Sequence, residues 1–265
     1  MYLDFYGLKS SPFNITSDPQ IFFESLSHRE AFAALLYGIQ EKKGIILITG
    51  EVGTGKTTLC KALLNKLPAE VKSSLILNPY FSELQLLQAI IEDFGLTIEK
   101  KSRLDLIKCL NAFLIEINLK GGNAVILIDE AQNLNSRQLE QIRLLSNLET
   151  SQGKLLQIVL VGQPELRDKL KAFNLRQIKQ RICVKYNILP LREEEVRDYI
   201  EFRLKKVGTD GIDITPESYK IIFDFSKGIP RLINVLCDRA LLYGFAREKR
   251  IFDAEIFNSC AEELR

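Results

Sequence analysis

The sequence lacks the cysteine and charge patterns that mark several common classes of protein. Its cysteines are widely separated, with no Cys-x-x-Cys pair: Cys60, Cys109, Cys183, Cys237 and Cys260. This spacing indicates reduced, mostly buried thiols and argues against a disulfide framework or a thiolate zinc site. The net charge is only +2 at pH 7, so the overall balance gives no argument for a nucleic acid or an acidic partner.

Long hydrophobic runs are also missing. No apolar segment reaches the length that a helix needs to cross a bilayer, and the first six residues do not have the pattern of a signal peptide. At 265 residues, of which 46% are hydrophobic, the chain is long enough to bury a core in one or two domains. We therefore expect a cytoplasmic protein with no membrane span in this chain.

The most informative segment is a glycine-rich loop. It follows an apolar run of strand type at residues 44–49 and precedes a helical pattern at residues 59–64. The loop consists of Gly50, Glu51, Val52, Gly53, Thr54, Gly55, Lys56, Thr57 and Thr58. Strand, glycine loop, Lys-Thr and helix in this order are typical of a phosphate-binding loop, in which backbone N–H groups surround phosphate oxygens.

This loop predicts binding of a nucleoside triphosphate with magnesium. Lys56 is expected to reach the β- and γ-phosphates, and the Thr57 hydroxyl is expected to bind Mg²⁺. The alternative is a glycine turn with an exposed lysine, which the flanking strand and helix disfavour.

Strand and helix patterns alternate through the first 190 residues. Predicted strands lie at residues 44–49, 73–78, 124–128, 156–161 and 183–189, with helices near 27–42, 59–64, 82–94, 102–119 and 135–150. Alternation of this kind predicts an α/β fold with a five-stranded parallel sheet and helices on both faces. Four further helices, near 193–206, 216–227, 230–247 and 253–263, predict an all-helical C-terminal lid. We therefore expect two domains, residues 1–190 with an N-terminal arm and residues 191–265.

Polar residues end three of the predicted strands: Asn78, the pair Asp129-Glu130, and Gln163. In a parallel sheet these ends meet at one edge, where ligands bind. Asp129 suits the Walker B role of holding Mg²⁺, and Glu130 is then placed to polarise a water molecule for attack on the γ-phosphate. The alternative is a pair of exposed acids that opens a loop.

Residues 1–27 are irregular but rich in aromatic side chains, so they predict an ordered arm. Ser27 is expected to cap the following helix, which begins with His28, the only histidine of the chain. A polar group at a helix start is an equally good interpretation of this histidine.

The order of these motifs and the helical C-terminal region resemble the AAA+ ATPases. By that resemblance Gln163 takes the place of sensor 1, which touches the γ-phosphate or the attacking water, although Asn or Thr is more frequent there. Arg231, in Gly228-Ile229-Pro230-Arg231, resembles sensor 2, which couples the lid to the γ-phosphate. Asn78 would restrain Glu130 until the site closes.

The resemblance also implies an arginine finger that completes the site of a neighbouring subunit, and hence a homo-oligomer. Arg181, just before the fifth strand, is the first candidate and Arg176 competes with it. Arginine in this role offsets charge that develops on the transferred phosphoryl group. An ordinary surface arginine is the alternative for each.

A narrower resemblance extends over nearly the whole chain. The segments that carry it are Tyr2–Leu8, Ser11–Phe13, Asp18-Pro19, Ser27–Ala31, Ile128–Gln132, Val161–Leu166 and Gly228–Arg231. They are similar to ATPases of the general secretion pathway protein A (ExeA) type and to the related MSHA-pilus biogenesis and exosortase-associated ATPases. This likeness implies ATP hydrolysis in assembly of a secretion or pilus system, with the N-terminal arm and the His28 helix contacting adenine. Such ATPases usually continue into a membrane span and a periplasmic region, so the chain would be the cytoplasmic domain of an inner-membrane protein or a free-standing relative.

Two other functions are also compatible with the sequence. A DNA-linked AAA+ regulator of the transposition-ATPase type shares this core, and the basic cluster Arg176, Lys179, Arg181 and Lys185 would touch phosphates. No helix-turn-helix pattern supports that function, and a solvated helix face explains the cluster as well. The other is a scaffold that binds ATP without turnover, which an intact Glu130 disfavours.

Overall fold

The structure is a computed structural model that describes residues 2–98, 102–151, 153–208 and 211–264. Its contacts divide the chain into two compact units. The first, which we call the sheet unit, contains residues 29–50 and 59–188. The second, the helical unit, contains the chain up to His28, the segment Glu51–Thr58 and the chain from Leu189 onward.

The sheet unit is built on five parallel strands. They are β1 (Ile45–Gly50), β2 (Val71–Ile76), β3 (Asn123–Ile128), β4 (Gln157–Gly162) and β5 (Ile182–Ile188). Their order across the sheet is β2-β3-β4-β1-β5, with parallel pairing throughout. Every residue of β1 and β4 is buried, because a continuous apolar run suits a strand covered on both faces. The predicted α/β fold with a five-stranded parallel sheet is confirmed.

The helices follow the predicted order with several differences in their bounds. They are α1 (Leu26–Gln40), α2 (Lys56–Lys66), α3 (Glu83–Asp93), α4 (Arg103–Leu119), α5 (Ser136–Leu145), α6 (Pro164–Lys169), α7 (Arg176–Arg181), α8 (Glu193–Val207), α9 (Pro216–Ser226), α10 (Pro230–Ala246) and α11 (Ala254–Glu263). Single turns of helix cover Tyr2–Phe5, Pro19–Ile21, Ala131–Asn133 and Phe173–Leu175. The two short helices α6 and α7 have no counterpart in the predicted pattern.

Two predicted helix ends are wrong. The helix expected to reach residue 150 ends at Leu145, and Glu149–Thr150 pairs antiparallel with Gly153–Lys154 in a hairpin. Leu148 still packs against the core, but residues 149–154 contain no large apolar side chain that could bury a further helical turn. At the start of α1, Ser25 takes the capping role predicted for Ser27, since its hydroxyl accepts a hydrogen bond from the His28 N–H at 3.3 Å.

The helical unit contains the N-terminal arm together with the C-terminal helices. The buried Tyr6 hydroxyl donates to the carbonyl oxygens of Leu241 (3.3 Å) and Lys249 (3.0 Å). Arg203, also buried, donates to the carbonyl oxygens of Pro12 (2.5 Å) and Asn14 (3.0 Å). These units differ from the domains expected at 1–190 and 191–265, because the aromatic residues of the arm pack with the C-terminal helices.

The C-terminal region is helical except for one short pair of strands. Asp213–Ile214 pairs parallel with Ile251–Phe252, and Phe252 is buried in the core of the helical unit. Within the described ranges, none of the helices combines the length and the apolar composition that a bilayer crossing requires.

Candidate functional site

The glycine loop lies in the helical unit from Glu51 to Thr58, while Gly50 ends β1 in the sheet unit. Two of its glycines cannot be replaced without strain. Gly53 and Gly55 have φ angles of 82° and 88°, in the left-handed region that favours glycine. A Cβ atom on Gly53 would lie 2.6 Å from the Cβ of Arg231, and one on Gly55 would lie 3.1 Å from Nε2 of His28. The loop backbone is therefore a cradle that side chains would fill, as phosphate binding requires.

One carbonyl inside the loop collects several donors. The Glu51 carbonyl oxygen accepts from the Thr54 N–H at 3.3 Å, the Thr54 hydroxyl at 2.8 Å and the Lys56 ammonium at 2.9 Å. Lys56 is buried and is the first residue of α2, so its ammonium is held at the N-terminal end of a helix. Both the ammonium and the helix N-terminus favour an anion at this position.

His28 connects the start of α1 to the loop. Its Nε2 lies 2.8 Å from the Thr54 carbonyl oxygen and its Nδ1 lies 2.7 Å from the Ser25 hydroxyl. Because a carbonyl oxygen only accepts, Nε2 carries the proton and Nδ1 accepts from Ser25. The side chain is 3% exposed, and this burial lowers the pKa of His28 despite the bond to Thr54. His28 is a buried, neutral support of the loop, so both ring nitrogens are already engaged by protein groups.

Arg231 approaches the loop from the first turn of α10. Its backbone N–H donates to the Gly53 carbonyl oxygen at 3.3 Å, while its side chain is exposed. Gly228, which precedes this turn, has a φ of 76°, and a Cβ there would lie 1.9 Å from the Leu191 carbonyl oxygen. The Gly-Ile-Pro-Arg segment therefore brings α10 against the loop and leaves the guanidinium available to a ligand.

The acidic pair lies in the sheet unit, directly after β3. Asp129 is 2% exposed; its N–H donates to the Ile76 carbonyl oxygen at 2.8 Å and its Oδ1 accepts from the Glu130 N–H at 2.9 Å. Glu130 has a φ of 50°, a left-handed conformation that costs energy for a residue with a side chain. The chain turns sharply at this residue, which begins the short turn of helix Ala131–Asn133.

Two glutamines hold the Glu130 carboxylate. Nε2 of Gln132 donates to Oε2 of Glu130, and Nε2 of Gln163 donates to the same oxygen at 3.2 Å. The Gln163 N–H in turn donates to Oε1 of Gln132 at 3.1 Å. This leaves Oε1 of Glu130 as the oxygen that neither glutamine occupies.

Gln132 is a functional candidate that the sequence motifs did not single out. It was part of the segment Ile128–Gln132 but had no role assigned to it. The partner expected for Glu130 was Asn78, which is exposed and lies two residues beyond the end of β2. The position of Gln132, two residues after Glu130 in a turn of 3₁₀ helix, is the feature that brings the two side chains together.

The two finger candidates occupy the ends of α7. Arg176 is exposed and its guanidinium lies 4.5 Å from the centre of the exposed Phe173 ring. Arg181 is half-buried at the last residue of α7, immediately before β5. Arg181 therefore adjoins the edge strand β5, and Arg176 begins the same short helix.

The predicted site residues thus form two clusters. Residues 51–58 of the loop, His28 and Arg231 belong to the helical unit, whereas Asp129, Glu130 and Gln163 belong to the sheet unit. Oxygen ligands are the type that Mg²⁺ prefers, and Mg²⁺ keeps several waters, so the Asp129 carboxylate and the Thr57 hydroxyl are each a donor of the fitting type. Among the described residues no group of three His, Cys, Asp or Glu is arranged to hold a metal by itself.

A comparison with known protein families identifies the class. Residues 39–170 match the family described as "AAA domain". Together with the parallel sheet and the glycine loop, this match shows that the chain carries an AAA domain, a P-loop fold that binds nucleotides, followed by a helical region.

One curated protein gives a more particular likeness. The chain is 47% identical, over 248 residues and 93% of its length, to General secretion pathway protein A of Aeromonas hydrophila. The chain spans 45% of that relative's length. The resemblance to the general secretion pathway protein A group is confirmed.

Solved structures show the same fold at low sequence identity. Cdc6p of Pyrobaculum aerophilum superposes with a TM-score of 0.70 at 16% identity, over 93% of this chain and 71% of that one. The Aeropyrum pernix ORC2 protein gives a TM-score of 0.64 at 18% identity, over 88% and 66% of the respective chains. At these identities the likeness concerns the fold alone.

Proposed function

We propose that the protein binds ATP with Mg²⁺ and hydrolyses it. The observation that carries this proposal is the Glu130 carboxylate, which two glutamines hold by one oxygen while the other stays available. In this role Oε1 of Glu130 accepts a proton from a water molecule as the water attacks the γ-phosphate. A merely nucleotide-binding scaffold has no need for so specific an arrangement.

The other residues take roles that follow from their chemistry. Lys56 and the backbone N–H groups from Gly53 to Thr58 bind the phosphates, and Thr57 and Asp129 hold Mg²⁺. The metal, when bound, neutralises charge that develops on the phosphate oxygens. Gln163 orients Glu130 or the attacking water as sensor 1. Arg231 acts as sensor 2, because its backbone N–H contacts the loop and its exposed guanidinium is close enough to reach a bound nucleotide.

His28 is assigned a supporting role beside the nucleotide. Both of its ring nitrogens are hydrogen-bonded to Ser25 and Thr54. Any contact with adenine is therefore made by the carbon edge of the imidazole or by neighbouring residues of the arm. Its main contribution is to fix the Thr54 carbonyl and with it the loop backbone.

Oligomerisation completes the proposed site. An arginine finger, Arg181 or Arg176, acts in a neighbouring copy of the chain, so ATP promotes a homo-oligomer. Mixing inactive Glu130→Gln chains with inactive Arg181→Ala chains tests this, because each contributes what the other lacks. Recovery of activity in the mixture supports Arg181; recovery only with Arg176→Ala in its place moves the role to Arg176, and no recovery in either mixture rejects a finger in trans.

The biological setting is proposed from the relative with 47% identity. We infer that the protein acts on the cytoplasmic side of the inner membrane in assembly of a secretion or pilus system. The DNA-linked alternative is not favoured, since two structures solved with DNA match at only 18% identity, which concerns the fold alone.

The enzymatic proposal is tested by separating binding from turnover. Lys56→Ala should lose ATP binding, measured with a fluorescent ATP analogue, and therefore turnover as well. Glu130→Gln should bind ATP normally while phosphate release falls by about 10²-fold or more. Glu165→Gln, at an exposed position in the first turn of α6, is the matched control and should behave as wild type. Equal turnover in wild type and Glu130→Gln would reject the proposed base.

A further inference from the structure

The sheet unit contains a cavity whose lining includes no residue of the glycine loop or of the acidic pair. It has a volume of about 360 Å³ and is lined by residues of β1, β5, α6 and α7. Leu47 pairs with Lys185 and Thr49 with Asn187 in the register of the two strands, so these side chains share one face of the sheet. Arg167 of α6, Leu170 directly after that helix and Lys179 of α7 also line the cavity.

The lining is strongly basic. Four of the lining residues are cations, namely Arg167, Lys171, Lys179 and Lys185, and none of the described lining residues is acidic. Two of the lining residues pair with carboxylates that lie outside the lining. Asp168 pairs with Lys171 at 2.7 Å, and Glu30 accepts from the hydroxyl of the lining residue Tyr186 at 2.5 Å. An excess of positive charge in a concave site with apolar walls concentrates anions.

A fixed amide adds directional hydrogen bonding at the base of this cavity. Oδ1 of Asn187 accepts from the Thr49 hydroxyl at 2.9 Å and from Nη1 of Arg167 at 3.3 Å. These two donors determine which end of the amide is oxygen. The amide nitrogen of Asn187 then carries donors that no acceptor within the described residues engages, so they are available to a ligand oxygen.

The remaining walls are apolar. Leu47, Leu170 and Ile182 are buried side chains that supply this apolar surface. Apolar walls with a few convergent polar groups are the usual composition of a small-molecule site, and the volume lies at the small end of the usual range of roughly 300–1,000 Å³. A bare inorganic anion would leave these walls unused.

We propose that this cavity binds a small phosphorylated molecule with a partly apolar body, of the nucleoside monophosphate class. The phosphate lies among Arg167, Lys179 and Lys185, and the body lies against Leu170 and Ile182, within reach of the Asn187 amide. A nucleic acid strand fits the observations less well, because the cations surround a bounded cavity instead of following an extended groove. The site involves neither the glycine loop nor Glu130, so it stands whether or not the protein hydrolyses ATP.

Isothermal titration calorimetry on the full chain tests this site. All measurements use a Lys56→Ala variant of the full chain, in which nucleotide binding at the glycine loop is removed. The probes are AMP, GMP and UMP. Inorganic phosphate, unphosphorylated guanosine and a single-stranded oligonucleotide of twelve nucleotides serve as comparison ligands. Lys179→Glu with Lys185→Glu changes the cavity, whereas Lys72→Glu with Lys108→Glu makes the same charge change at exposed lysines of β2 and α4.

The expected result is saturable binding of at least one monophosphate, weakened about tenfold or more by the cavity pair and unchanged by the control pair. Inorganic phosphate and guanosine should each bind at least about tenfold more weakly than that monophosphate. Absence of saturable binding, or equal weakening by both lysine pairs, overturns the site. Equal affinity for inorganic phosphate shows a simple anion site instead, and much tighter binding of the oligonucleotide shows a nucleic-acid surface; both outcomes overturn the proposed ligand class.

Discussion

The glycine loop and the acidic pair are stabilised in different ways. The loop is supported from outside by residues that are distant in sequence: His28 holds the Thr54 carbonyl, and the N–H of Arg231 holds the Gly53 carbonyl. The Glu130 carboxylate has one partner from nearby, since Gln132 follows it by two residues, and a second, Gln163, from the end of β4 in the same sheet. Changes far from the loop should therefore alter nucleotide binding, whereas turnover should depend on residues close to Glu130.

Removing His28 is expected to have the largest effect on the loop side of this comparison. His28→Ala leaves the Thr54 carbonyl and the Ser25 hydroxyl without their buried partner and opens a cavity beside Phe22. The free energy of unfolding should fall by about 2–4 kcal/mol, measured by urea denaturation. His28→Gln keeps a side-chain donor and should recover part of the loss. Unchanged stability in His28→Ala would show that the loop does not depend on this histidine.

Gly53→Ala tests whether the loop backbone is as constrained as its contacts indicate. A left-handed alanine costs about 1–2 kcal/mol, and its Cβ would also overlap Arg231. ATP affinity should fall about tenfold or more, measured with the fluorescent analogue. Gly95→Ala is the control, because Gly95 has a similar φ of 80° but open space around its Cβ position. It should cost stability without changing ATP affinity; equal affinities in both variants would contradict a close contact at Gly53.

Gln132→Ala tests the acidic side. Loss of a hydrogen bond to a carboxylate is worth about 1.5–3 kcal/mol, so kcat should fall by about 10–100-fold. KM for ATP should change less than about twofold, because Gln132 belongs to no part of the loop. Gln132→Glu removes the donor but keeps the length of the side chain and should not restore kcat. Gln88→Ala on α3 is the control and should leave kcat unchanged. An equal decrease of kcat in that variant would show that the effect is not specific to the contact with Glu130.

The pH dependence of the free energy of unfolding tests the contribution of His28, which supports the loop. Burial lowers the pKa of His28 in the folded state, so below the ordinary pKa of about 6.5 the unfolded chain binds a proton that the folded chain excludes. The free energy of unfolding should therefore be highest above pH 6.5 and decrease as the pH falls, by at most about 1.4 kcal/mol per unit. Since the chain has one histidine, His28→Gln should remove this slope between pH 7 and pH 5. A slope that persists in the variant would assign the effect to other groups.

Tyr6→Phe should give the smallest effect and concerns the arm. The variant keeps the ring but loses the hydrogen bonds to Leu241 and Lys249, which should cost about 1 kcal/mol and lower Tm by a few degrees. Tyr37→Phe, at a side chain that is 53% exposed, should leave Tm unchanged. If Tyr6→Phe also leaves Tm unchanged, the arm contributes little to the helical unit.

Much of the fold could be predicted because its signals are local. The continuous apolar runs of β1, β3 and β4 indicate strands covered on both faces, and the acidic pair is visible as two carboxylates at the end of such a run. The short helices α6 and α7 were missed, since six residues carry too little periodicity to identify a helix.

The supporting contacts could not be predicted, because they join distant parts of the chain. Nothing in the residues before Ser25 shows that the arm packs with the C-terminal helices, and the bond from His28 to Thr54 spans 26 positions. Gln132 is different: its spacing from Glu130 is visible, but the left-handed turn at Glu130 that brings the two together is not a property that local patterns predict for a glutamate.

The most direct test of hydrolysis at Glu130 identifies the nucleotide that each chain retains. Wild type and Glu130→Gln are incubated with Mg²⁺ and ATP, separated from free nucleotide, and the bound nucleotide is analysed by chromatography. We expect ADP on the wild-type chain and ATP on Glu130→Gln, since the variant keeps the loop and loses only the base. ATP recovered intact from both chains, or ADP from both, would contradict the assignment of Glu130 as the residue that activates water.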